Sequence, residues 1–118
     1  MWSGIELLGL PLLALGGRGF ISAVSNLAPA AVAEMYEAWN AGDHERAREL
    51  HFALHPLVDL LFVETNPAPA KYVLHQDGLI SSPHVRPPLI EVTETGRSAI
   101  ATLLARGAAV RPVPHGAP

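Results

Sequence analysis

Lys71 is the only lysine among 118 residues, so any imine chemistry by this chain would have to use it. An imine-forming lysine must be desolvated and of lowered pKa, so that a neutral amine meets the carbonyl carbon. Lys71 instead follows Asn66-Pro67-Ala68-Pro69-Ala70, at the start of a helix announced by prolines, and reads as a surface or structural residue. His51, His55 and Asp59 follow i, i+4, i+8 spacing, a geometry that permits a two- or three-ligand metal face. No further ligand is evident, and histidines are common on the polar face of an amphipathic helix, so no metal is expected. Gly16-Gly17-Arg18-Gly19 has the composition of a phosphate loop. It precedes a strand pattern rather than a helix, so no helix N-terminus would face an anion, and a helix-to-strand turn is expected. There is no cysteine, which excludes disulfide scaffolds, thiol catalysis and cysteine zinc sites and suits a cytoplasmic setting.

The composition narrows the partners. Apolar residues make up 49% and charged residues 16%, lean for a small domain that covers its own surface. Such a balance suits a piece that buries surface against more protein. Net charge is −3 with scattered basic residues, so no nucleic-acid patch is expected. The run Leu7–Leu15 has the length of a leader's apolar core, but Glu6 precedes it, no basic residue does, and Gly16-Gly17-Arg18-Gly19 is a poor cleavage site. It is too short to span a bilayer and is read as a buried helix.

The elements that would hold these groups follow from periodicity. Pro11 opens a short helix to Leu15, capped by Gly16. Gly19–Ser25 is an apolar run between turn signals, which predicts a buried parallel strand. Pro29 opens a helix to Ala41 with Val32, Met35, Tyr36 and Trp39 on one stripe, ended by Gly42. Asp43 caps a long helix whose apolar stripe runs from Ala47 through Leu61, with Pro56 inside it. The first proline of Asn66-Pro67-Ala68-Pro69 bars the helical conformation at Asn66 and ends that helix near Phe62. A helix over Pro69–Asp77, a loop over Ser81–Pro88 and a helix capped by Thr93 follow, the last ending at Gly107 with Ile100, Leu103 and Leu104 inward. Residues 108–118 carry three prolines and little to bury, so a disordered tail is expected.

Phe62–Lys71 closely resembles a signature of the dihydrodipicolinate synthase/N-acetylneuraminate lyase family. Further resemblances fall in order: Ser3-Gly4, Leu10–Gly17, Gly19-Phe20-Ile21-Ser22 with Asn26, Gly78-Leu79, Arg86-x-Pro88-Leu89 and Thr95-Gly96-Arg97. Together they cover most of the chain. After Ser3-Gly4 the family usually has acidic residues, whereas Ile5-Glu6 follows here.

The resemblance implies pyruvate-dependent class I aldolase chemistry on a (β/α)8 barrel, a fold of roughly 250 residues. It makes this chain look like the last part of such an enzyme: mostly α with one or two short strands, forming the last two β/α units and a C-terminal three-helix domain. Residues 1–28 would be the remnant of strand seven, helix seven and strand eight, and 29–42 helix eight. Residues 43–107 would be the helical domain, and removing 1–28 is expected to improve solubility. The family's Schiff-base lysine and proton-relaying tyrosine lie upstream of these segments, so no residue here is expected to be catalytic. Gly4 and Ile21 correspond to positions that border the pyruvate adduct, the isoleucine through its backbone carbonyl. The implied partners are pyruvate in the intact enzyme and further copies of the chain, with no nucleic acid, membrane or cofactor. The implied activity is condensation of pyruvate with an aldehyde such as aspartate semialdehyde in lysine biosynthesis, absent from these residues alone. The alternatives are a non-enzymatic helical module or half-barrel partner, and a non-functional remnant.

Overall fold

The computed structural model describes residues 1–111. The chain begins with strand β1 (Trp2–Ser3), a 3-10 turn (Glu6–Leu8), helix α1 (Gly9–Ala14) and strand β2 (Gly19–Phe20). A second 3-10 turn (Val24–Asn26) leads to α2 (Pro29–Asn40), α3 (His44–Leu61), α4 (Ala68–Gln76) and α5 (Glu94–Arg106). The described residues are mostly helical, with one two-stranded parallel sheet among them.

Local chemistry starts and stops these helices where the spacing predicts. Pro29 opens α2 in its first turn. The Asp43 carboxylate accepts the Arg46 N–H at 3.0 Å and the Thr93 hydroxyl accepts the Gly96 N–H at 3.1 Å, satisfying N–H groups that the helices leave unpaired. Pro56 cannot donate to the helical ladder, yet α3 runs through it because Leu57, Val58, Leu60 and Leu61 beyond it are all buried.

The core is built around α3. Leu50, Leu54, Leu57 and Leu61 lie on its inward stripe and pack against Met35 and Val32 of α2, Val73 of α4 and Ile100 of α5. Fully burying one such side chain is worth about 1.5–3 kcal/mol, so this cluster carries most of the fold's stability.

The structure bears on three of these expectations. The strand predicted over Gly19–Ser25 is only two residues long. The Ile21 N–H still donates to Ser3 O at 2.8 Å, but from there the chain turns inward. The apolar character of that run serves a 3-10 turn instead, with Val24 wholly buried among α2 and α3. The two residues that remain pair with β1. Secondly, residues 1–28 contribute Val24, Leu27 and Ala28 to the same core as the long helices. Thirdly, Ala108–Val110, expected in the tail, form a 3-10 turn, and Arg111 pairs with Asp77 beyond the end of α4. The rest of that expectation, residues 112–118, lies outside the described residues.

Candidate functional site

The two strands run parallel in the register Trp2↔Gly19 and Ser3↔Phe20. Gly4 and Ile21 therefore leave the sheet side by side at its C-terminal edge, joined through the bond from Ile21 N–H to Ser3 O. This edge is where α/β proteins place their ligands, because the loops that follow parallel strands converge there. Gly4 is open, with nothing within 4 Å of where a Cβ would stand, and the Ile21 side chain is 76% exposed. The two residues that sequence reasoning singled out are thus brought together.

The loop behind this edge is held by groups that sequence reasoning missed. Ser3 Oγ donates to the Ile5 carbonyl at 2.8 Å and accepts the Ile5 N–H at 3.1 Å, turning the chain immediately after Gly4. Glu6 is almost fully buried and accepts the Val24 N–H at 2.9 Å. One carboxylate thereby ties the loop after β1 to the turn after β2. The available signal was Glu6 itself, an acidic residue inside an otherwise apolar stretch from Ile5 to Leu8.

Gly16–Gly19 forms the helix-to-strand turn expected of it. Gly16 has φ +87°, and a Cβ on Gly17 would stand 2.7 Å from the Leu12 carbonyl oxygen, so the turn closes tightly onto α1. The Arg18 backbone pins the same turn to its neighbours. Its N–H donates to Met1 O at 2.9 Å and its carbonyl accepts from the Tyr36 hydroxyl at 3.1 Å.

Lys71 lies in the first turn of α4, and its ammonium donates to the backbone carbonyl of His84. That bond ties α4 to the 81–88 loop, as a structural lysine would.

His51 and His55 face each other one turn apart on α3, with Nε2 atoms 3.2 Å apart and rings edge to face at 4.7 Å between centroids. Partial burial, and then the neighbouring His55, hold the His51 imidazole below its ordinary pKa. Asp59 is exposed and does not join them. Among the described residues no group of three or more His, Cys, Asp or Glu side chains converges as a metal cage. No helix of the described residues is long and apolar enough to cross a membrane.

Comparison with known proteins points one way. Residues 1–106 match the pattern of the Dihydrodipicolinate synthetase family. The chain is 55% identical over 92 residues to the 4-hydroxy-tetrahydrodipicolinate synthase of Methanopyrus kandleri, covering 78% of this chain and 30% of that one. It is 50% identical over 92 residues to the enzyme of the same name from Archaeoglobus fulgidus, covering 78% and 32%. Among solved structures, the dihydrodipicolinate synthase of Thermotoga maritima superposes with a TM-score of 0.85 at 38% identity, over 91% of this chain and 36% of that one. That of Aquifex aeolicus gives 0.84 at 36% identity, over 95% and 38%. The chain thus spans about a third of the length of the relatives it matches.

Proposed function

Because this chain belongs to the dihydrodipicolinate synthetase family, we propose that its residues are the closing part of a pyruvate-dependent lyase of the class I aldolase type. The observation that carries this reading is the β1–α1–β2 unit, which aligns Gly4 and Ile21 at one C-terminal sheet edge. In this reading β1 and β2 are the last two strands of a (β/α)8 barrel, α1 and α2 the helices after them, and α3–α5 the C-terminal helical domain.

The intact enzyme would bind pyruvate as an imine on a lysine and add the derived enamine to an aldehyde such as aspartate semialdehyde. The part played by the residues described here is positional. The Ile21 backbone and Gly4 would border the pyruvate adduct, and Glu6 would fix the two loops that present them. A side chain at Gly4 would intrude on that space. Lys71 is assigned a structural role rather than the imine, a reading supported by its amine donating to the His84 carbonyl. The 118 residues alone are therefore expected not to turn over substrate.

Borohydride reduction with labelled pyruvate tests the assignment. The expected result is no covalent adduct on this chain alone. An adduct on Lys71 would overturn the role given to it.

The exposed apolar rim favours a second reading, in which the chain is the partner of a separate upstream half-barrel. Trp2, Ile5, Leu8 and Ile21 stand exposed around the sheet, and both sheet edges are open among the described residues. Co-expression with the upstream part of the Methanopyrus kandleri relative should give a soluble complex that forms the pyruvate adduct on that partner's lysine. Failure with every matched upstream part would count against it.

A further inference from the structure

The histidine pair on α3 takes no part in the proposed lyase chemistry, and its geometry suits a different use. We propose that His51 and His55 chelate one late first-row divalent cation, of the class Ni²⁺, Cu²⁺ or Zn²⁺, through their Nε2 atoms. Imidazole nitrogen lies about 2.0–2.1 Å from such an ion, so an Nε2–Nε2 separation of 3.2 Å corresponds to an N–metal–N angle of roughly 100°. That value falls between square-planar and tetrahedral coordination, the two geometries these ions favour with imidazole.

The scaffold already fixes both rings. They sit one turn apart within an 18-residue helix whose opposite face is core, so an ion would replace the Nε2–Nε2 hydrogen bond through ring rotations without moving the backbone. Phe52 packs edge to face against both imidazoles and limits their rotation. Both rings are half-buried rather than sealed, which leaves room for water at the remaining coordination positions.

The groups around the pair are of mixed character. A small cavity between α3 and the N-terminal segment is bordered by His51 and His55 together with Glu6, Phe20 and Met35. His44 and Arg48 line a separate groove on the other side of His51. The site so described is bidentate, completed by solvent.

Titration of metal-free chain with Ni²⁺, Zn²⁺ and Cu²⁺ at neutral pH, followed by calorimetry, tests the proposal. One ion per chain is expected, Cu²⁺ binding tightest. Binding should be lost in His51→Gln and in His55→Gln, retained in the exposed-site control His84→Gln, and weakened as acid protonates the rings. Should a variant fold poorly, NMR of the parent reads the same point: substoichiometric Cu²⁺ should broaden the His51 and His55 ring signals ahead of the other four histidines. Absence of binding, binding indifferent to both substitutions, or broadening that begins at other histidines would each overturn the site.

Discussion

Glu64 holds Thr93 with both carboxylate oxygens: Oε2 accepts the Thr93 N–H at 3.2 Å, and Oε1 accepts the hydroxyl proton. The same hydroxyl oxygen accepts from Gly96 N–H and caps α5, so a residue just past the end of α3 is latched onto the first turn of α5. A negative carboxylate at a helix N-terminus also meets the positive end of the helix dipole. The Phe62–Lys71 signature therefore does more than end one helix and begin another.

Removing the latch should cost stability in a coupled way. Thr93→Ala should lose about 1 kcal/mol as a missing cap, and Glu64→Ala about 0.5–1.5 kcal/mol as its hydrogen bonds to the exposed Thr93 pass to water. A double-mutant cycle by urea unfolding should return a coupling of about 0.5–3 kcal/mol. Strictly additive losses would mean that the two residues do not act together.

Gly96→Ala should reverse the ordinary sign. In an open helix interior alanine is favoured over glycine by about 1 kcal/mol. Here the added methyl would press on the Glu64 carboxylate and stand 2.9 Å from Val92 Cγ1, so a loss of about 1–3 kcal/mol is expected. Combining it with Glu64→Ala should recover part of that loss, as thermal unfolding would reveal.

Glu6→Leu should loosen the two loops behind the sheet edge. The Val24 N–H loses its acceptor in a buried setting, at a cost of about 1–3 kcal/mol. Hydrogen exchange at the Val24 amide should accelerate well beyond that at Leu57, and unchanged protection there would contradict the assigned role.

Acid should destabilise the fold through His51. Its pKa is lowered in the folded state, so below the ordinary value of about 6.5 the unfolded chain binds more protons than the folded one. The stabilising contribution is complete above that ordinary value and disappears as pH falls through the lowered folded value. Urea midpoints measured with a chelator present should therefore fall with acid more steeply in the parent than in His51→Gln. Parallel pH profiles would remove His51 as the cause.

The 118-residue chain should self-associate as concentration rises, because Trp2 is 65% and Ile21 76% exposed beside open strand edges. Trp2→Ser with Ile21→Ser should shift sedimentation towards monomer. Deleting residues 1–28 should lower stability instead of simply improving solubility, since it removes Val24, Leu27 and Ala28 from the core. A deletion that kept a sharp thermal transition at the parent's midpoint would contradict this.

What could be foreseen from sequence was what depends on neighbours along the chain. Asp43 and Thr93 were legible as caps because a cap and its recipient N–H are three residues apart, and the apolar stripe of α3 was legible because it repeats every turn. Val24 was misread because a short apolar run looks the same whether it joins a sheet or plugs a core through a 3-10 turn. Glu6–Val24, Glu64–Thr93 and Asp77–Arg111 join residues 18, 29 and 34 positions apart, and no period announces such pairs. The spacing of His51 and His55 was visible, but the convergence of their nitrogens depends on ring orientations set by packing. Gly4 and Ile21 were singled out by resemblance, and only the register of β1 against β2 made them neighbours.

That register has a kinetic side. With two residues per strand, the ladder between β1 and β2 is held by few hydrogen bonds, whereas Leu57, Leu60 and Leu61 are wholly buried in the helical core. Cooperative units of unequal stability are the rule within one fold, and the least stable ones open first. The sheet edge that presents Gly4 and Ile21 is thus the natural first unit to breathe. Strands supplied from elsewhere would slow that opening while leaving the helical layer's own rate unchanged.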